Sequence, residues 1–137
     1  MKLSTKSRYG LRAVYFLAQH YSKGEPLSLT KIALETQVSE PYLEKLLSIL
    51  KKAEIVETVR GAAGGYKLAQ SPKLLTVGKI LRALEDDLRI ADCVNSNCSG
   101  KNCPNKSVFT RLYTQINNFL DGMILQDILD ENTYKKT

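Results

Sequence analysis

Tryptophan is absent from this 137-residue chain, and histidine occurs once, at His20. One imidazole leaves almost no room for a histidine dyad or triad and limits histidine-rich metal sites. No run approaches the roughly 20 consecutive apolar residues that span a bilayer. The opening stretch MKLSTKSRYGLRAVYFLAQ is basic, but Arg12 and Gln19 break its apolar run short of signal-peptide length. We therefore expect a cytoplasmic protein with no membrane partner. Also missing are a nucleophile–base pair, paired carboxylates and a phosphate-binding loop, because the glycines of GAAGGY follow a strand pattern without opening a helix. No enzyme is expected.

What is present is a basic N-terminal part. The net charge is +6, but residues 1–80 hold thirteen Lys/Arg against six Asp/Glu, whereas residues 81–137 hold seven against eight. A polyanion would dock on the first of these. Hydrophobic residues at 43% and charged residues at 25% suit one ordered domain, or one compact domain with an appended element.

Leu11, Val14, Tyr15 and Ala18 fall at i, i+3, i+4 and i+7, the pattern of an amphipathic helix capped by Ser4 or Thr5. After the loop SKGEP, Ser28 caps a second helix with Leu29, Ile32 and Ala33 on one face. A short break leads to a third, with Ser39 as N-cap, Pro41 in the first turn and an apolar stripe of Leu43, Leu46, Leu47 and Leu50. EIVETVRGAAGGYKLAQ then reads as a strand at Ile55–Val59, a glycine turn at Gly61–Gly65 and a strand at Tyr66–Ala69. Two short helices across a tight turn, followed by a hairpin, make a winged helix-turn-helix.

Thr76 caps a fourth short helix. Farther on stand Val108, Leu112, Ile116, Phe119 and Leu120, then Met123, Ile124, Ile128 and Leu129, with a helix break at Gly122. This long helix has more large apolar residues than one side of a small domain needs. It either caps the monomer's core or forms a two-fold interface, and we favour a homodimer. The expected fold class is mainly α with a small β-hairpin wing. A winged helix-turn-helix DNA-binding domain over 1–84 is followed by a cysteine-containing loop over 85–106. A dimerisation helix with a short terminal helix occupies 107–131, and a frayed tail 132–137.

In a winged helix, the start of the second helix of the helix-turn-helix enters the major groove of double-stranded DNA. Here that start is Ser39, Glu40, Pro41, Tyr42, Glu44 and Lys45. Lys45 and the hydroxyls of Ser39 and Tyr42 can bind phosphates. Glu44 is repelled by phosphate, so it serves either as an acceptor from cytosine N4 or as a solvated helix residue. Arg60, at the wing's base, either enters a narrow A·T-rich minor groove or is a surface cation at a strand end. Lys2, Lys6, Arg8 and Tyr9 would flank the helix and touch the DNA backbone, and Gly64 and Gly65 would keep side chains out of its way.

All three cysteines, Cys93, Cys98 and Cys103, lie in ADCVNSNCSGKNCPN with the spacing C-x4-C-x4-C. An odd count in a reducing cytosol makes poor disulfides. Soft thiolates in this array suit an iron–sulfur cluster, zinc or a redox-sensing thiol site.

MKLSTKSRYGLRA, SEPYLEKLLSILKKAEIVETVRGAAGGYKL and the late three-cysteine loop together resemble the Rrf-type winged-helix transcriptional regulators, most of all the iron–sulfur members. The resemblance runs from Met1 to about Glu131. It implies a homodimeric regulator, usually a repressor, on a pseudo-palindromic operator. It further implies that Glu44 discriminates bases, that Arg60 enters the minor groove, and that Cys93, Cys98 and Cys103 bind an iron–sulfur cluster, 2Fe–2S in preference to 4Fe–4S. Such clusters usually take four protein ligands. Cluster-binding members place the fourth on a histidine three residues after the last cysteine, here Lys106, or on an acidic residue in the other subunit's first helix, here Arg8. The cysteine spacing is also tighter than in those members. Asp92, Asn105, Ser107, His20, or an exogenous thiol or water are the candidates that remain. A rival class, a cluster protein that only transfers electrons or clusters, would show no salt-dependent DNA binding.

Overall fold

The computed structural model describes residues 2–85, 88, 89, 91, 94 and 103–135. Six helices and one hairpin follow in the order α1 (Thr5–Gln19), α2 (Leu29–Thr36), α3 (Glu40–Lys52), β1 (Val56–Val59), β2 (Gly65–Leu68), α4 (Val77–Leu84), α5 (Pro104–Gly122) and α6 (Leu125–Lys135). Three helices begin on hydroxyl caps, where the backbone N–H groups of Ser7, Lys31 and Lys79 donate to Ser4 Oγ, Ser28 Oγ and Thr76 Oγ1 at 3.4, 3.1 and 3.1 Å. Each satisfies a donor that the helix itself cannot. Ser39 occupies the N-cap position of α3 without a capping hydrogen bond, so its hydroxyl stays uncommitted. Between α2 and α3 the chain reverses at Gln37, in the left-handed region at φ 58°.

The stripe of α3 is fully inside. Leu43, Leu46, Leu47 and Leu50 are buried together with Ile32, Ile55, Ile80, Leu84 and Leu125, each such side chain contributing about 1.5–3 kcal/mol. The face of α1 is wider than the spacing of Leu11, Val14, Tyr15 and Ala18 suggests. Ala13, Phe16 and Leu17 are buried as well, whereas Leu11 and Tyr15 are half-buried. The reason is that α2, α3, α4, α6 and β2 all pack against this one helix.

The strands pair antiparallel with Val56 opposite Leu68 and Val59 opposite Gly65; β1 starts one residue later than the sequence expectation and β2 lies one residue earlier. The hairpin is tied to the helices by two backbone hydrogen bonds between Leu27 and Tyr66, each 2.8 Å. A second small apolar cluster of Val77, Leu81 and Leu88 receives Leu3, Leu120, Met123 and Ile128. The helix break falls at Gly122 as expected, but α6 continues to Lys135, through the first four residues of the stretch expected to fray. Asn132 and Thr133 side chains bond back to the carbonyls of Ile128 and Leu129 and sustain that last turn. None of the residues of α5 is buried. No described helix is long and apolar enough to cross a membrane.

Candidate nucleic-acid interface

At the start of α3, Ser39, Glu40, Pro41, Glu44 and Lys45 are all exposed. Pro41 stands at the start of the helix, where its missing N–H costs no hydrogen bond, and the Glu40 carboxylate favours the positive end of the helix dipole. Glu44 and Lys45 make no hydrogen bond or ion pair with other described residues, so both are free to meet a ligand. Tyr42 differs from its neighbours. It is half-buried, with its ring edge-on to Tyr9 at a centroid distance of 6.1 Å and an interplanar angle of 89°. Tyr9 and Tyr42 thus join α1 to α3.

Sequence reasoning missed the group that completes this joint. The guanidinium of Arg12 lies 5.3 Å from the Tyr9 ring centroid and donates to the Thr36 carbonyl at 3.0 Å, at the end of α2. One arginine therefore gathers α1, α2 and, through the tyrosine pair, α3. The signal was available as an aromatic and a cation at i and i+3 on one helix.

On the wing, Arg60 is exposed and without a partner among the described residues. Lys51 Nζ donates to Thr58 Oγ1 at 3.0 Å and ties α3 to β1. Gly64 and Gly65 have a more immediate reason to be glycine than leaving room for DNA. A Cβ on Gly64 would lie 2.0 Å from the Val59 carbonyl oxygen, and one on Gly65 would lie 2.2 Å from that of Leu27. Both positions are closed by the protein's own backbone. Gly61, with φ +107° and nothing within 4 Å of its added Cβ, is the wing glycine that faces open space.

Lys2, Lys6 and Arg8 are exposed around the start of α1. That start is held by Glu85, whose Oε1 accepts from the Ser4 N–H and the Ser7 hydroxyl, each at 2.6 Å. Partial burial pushes the Glu85 carboxyl up. The hydrogen bonds from Ser7 and Ser4 and the nearby Lys6 charge outweigh this and leave its pKa below the ordinary value.

Of the three cysteines, Cys93 and Cys98 lie outside the described residues, as does Asp92. Cys103 is exposed at the N-cap of α5, and its thiol makes no capping hydrogen bond. Lys106, Asn105 and Ser107 are exposed in the first turn of the same helix. His20 ends α1, with Nδ1 3.1 Å from the Phe16 carbonyl and its ring edge-on to Phe16. It stands about 22 Å along that helix from Thr5, occupied by a local contact.

Residues 3–131 match the Rrf2 family model, described as an iron-dependent transcriptional regulator. The transcriptional regulator CymR of Bacillus subtilis is 37% identical over 128 residues, covering 93% of this chain and 89% of CymR. IscR of Aliivibrio salmonicida is 34% identical over 134 residues, covering 96% of this chain and 79% of IscR. Among solved structures, IscR of T. potens superposes with a TM-score of 0.84 at 38% identity, covering 100% of this chain and 92% of its own. CymR of B. subtilis does so at 0.83 and 34% identity, covering 96% and 98%. These relatives regulate transcription and are not enzymes. With a matching family model over nearly its whole length and the same winged-helix fold, this chain belongs to the Rrf2 family of DNA-binding transcriptional regulators.

Proposed function

We propose that the protein is a homodimeric repressor of a pseudo-palindromic operator, and that an iron–sulfur cluster on Cys93, Cys98 and Cys103 sets its grip. The observation that carries this reading is the position of Cys103. It is the N-cap of α5, the helix whose apolar residues Val108, Leu112 and Phe119 remain exposed. Chemistry at the cysteine therefore acts on the element offered for the two-fold contact. Two reading helices must stand about 34 Å apart to fit successive half-sites, so a small tilt of the dimer helices changes operator affinity. At the operator, Glu44 and Lys45 face the major groove, Arg60 the minor groove, and Lys2, Arg8 and Ser39 the phosphates.

The described cysteine suits a soft ligand. It is uncommitted and exposed at the N-cap of α5, open to a metal or an oxidant. A bound cluster, 2Fe–2S in preference to 4Fe–4S, would supply a charged, oxidant-sensitive brace between the cysteine segment and α5. Lys106, at the position of the histidine ligand in the resemblance, favours a second reading, a thiol-redox or zinc site. Anaerobic purification with iron, acid-labile sulfide and zinc measured per chain separates the two. Iron matched by sulfide, a visible band that bleaches in air, and the disappearance of both in Cys103→Ser are expected. Zinc alone, or no metal after anaerobic reconstitution, overturns the cluster and leaves the DNA-binding regulator standing.

A further inference from the structure

The first turn of α1 carries the exposed cations Lys6 and Arg8, and the exposed Lys2 stands just before its Ser4 cap. Three ties run to α4 and its C-terminal flank. Leu3 packs on the cluster of Val77, Leu81 and Leu88. Gly10 lies so close to Leu84 that an added Cβ would stand 2.5 Å from its Cδ1. The third tie is polar and converges on one atom, Glu85 Oε1, which accepts both the Ser4 N–H and the Ser7 hydroxyl at 2.6 Å. Ser7 is 1% exposed, so without Glu85 its hydroxyl has no water to turn to. Bonds to an ionised acceptor are the stronger kind, and here two of them lie within one turn of the cations.

Helix α4 is also tied to α5. Arg82 donates to Asp121 at 2.6 and 3.0 Å and to Asn117 at 2.7 and 3.3 Å, both on α5. Arg82 and Glu85 are three residues apart, so the last turn of α4 links the exposed helix α5 to the cationic start of α1. The chain leaves Glu85 directly into the segment that carries Cys93 and Cys98.

We infer that Glu85 is a positioning residue for DNA binding, holding the α1 start, with Lys6 and Arg8 on its first turn and Lys2 just before it, where it can meet the phosphate backbone. It touches no DNA itself. The inference rests on the winged-helix docking described above. It assigns to the α1 start a share of affinity that depends on salt but not on sequence, while α3 supplies base discrimination.

The test measures binding of wild type, Glu85→Ala, Ser7→Ala and Glu85→Gln to an operator duplex and to an unrelated duplex across a salt series. The slope of log K against log salt falls by about 0.9 for every phosphate that the protein ceases to neutralise. Glu85→Ala should flatten that slope by at least about one unit and weaken both duplexes by roughly tenfold alike, leaving their ratio unchanged. Ser7→Ala should do so in part. Glu85→Gln keeps an acceptor oxygen of the same reach and should restore the slope. A folded Glu85→Ala with the wild-type slope overturns the inference, and so does a change confined to the ratio of operator to unrelated DNA. If Glu85→Ala fails to unfold cooperatively, Ser7→Ala decides, and a wild-type slope there refutes it. Wild-type protein that binds neither duplex would instead remove the docking on which the inference rests.

Discussion

Replacing Leu112 by glutamate tests the proposed two-fold seam. Val108, Leu112 and Phe119, at i, i+4 and i+11 on one helix face, expose 54%, 45% and 67% of their surface. Full burial of such a side chain is worth about 1.5–3 kcal/mol, so the uncovered half is worth about 1 kcal/mol at each. Three residues on two protomers then supply about 6 kcal/mol before the cost of association is met. Leu112→Glu withdraws about 2 kcal/mol of this across both copies, and two carboxylates desolvated at an isologous contact add at least about 2 kcal/mol more. A total of about 4 kcal/mol is roughly a thousandfold in the dimer dissociation constant. Because Leu112 is outside the core, the protomer should keep its helical circular dichroism. Sedimentation equilibrium should show a monomer at micromolar concentration, and affinity for the full palindrome should fall toward that for one half-site. A Leu112→Glu protein that sediments as the wild-type species with unaltered operator affinity would refute the seam.

Gly65→Ala should destabilise the wing by about 2 kcal/mol or more, since its Cβ would stand 2.2 Å from the Leu27 carbonyl oxygen, which cannot withdraw without breaking the Leu27–Tyr66 pair. Thermal unfolding checks this, and an unchanged midpoint would contradict it. Glu44→Ala should bind operator variants more evenly, with about 1–3 kcal/mol less discrimination at one base pair and an unchanged salt slope; equal discrimination in both proteins would make Glu44 a solvated helix residue. The Glu85 carboxyl has a lowered folded pKa, so its contribution to stability is present above the ordinary carboxylate value and is lost as pH falls through the lowered one. Wild type should therefore exceed Glu85→Gln in thermal stability at neutral pH and converge with it in acid. A gap that persists undiminished at low pH would refute the ionised node.

Much of the fold could be read locally. Caps at Ser4, Ser28 and Thr76 and the leucine stripe of α3 depend on spacings of three or four residues, and all of them hold in the structure. The periodicity of α1 located the helix but not the full width of its buried face, because a helix packed on several sides obeys no single stripe. Glycine next to Tyr66 was legible as a turn, but its reason was not, since the obstructing carbonyl belongs to Leu27 on a different element. At the candidate interface, the exposed residues at the start of α3 were legible because helix start, charge and hydroxyls sit in one short run. Arg12 was not, for its acceptor is the last carbonyl of another helix.

Sequence alone determined that this is a helical reader with a glycine-turned wing, a basic N-terminal part and a late trio of thiols. Those properties follow from periodicity, charge and spacing along one chain. Tertiary structure alone decided which carboxylate holds the α1 start, with Ser7 and Glu85 meeting across 78 residues of sequence. It also decided that Cys103 opens a helix whose apolar stripe the protomer leaves uncovered. Such pairings arise only when packed elements close the distance, and no local pattern encodes the closure.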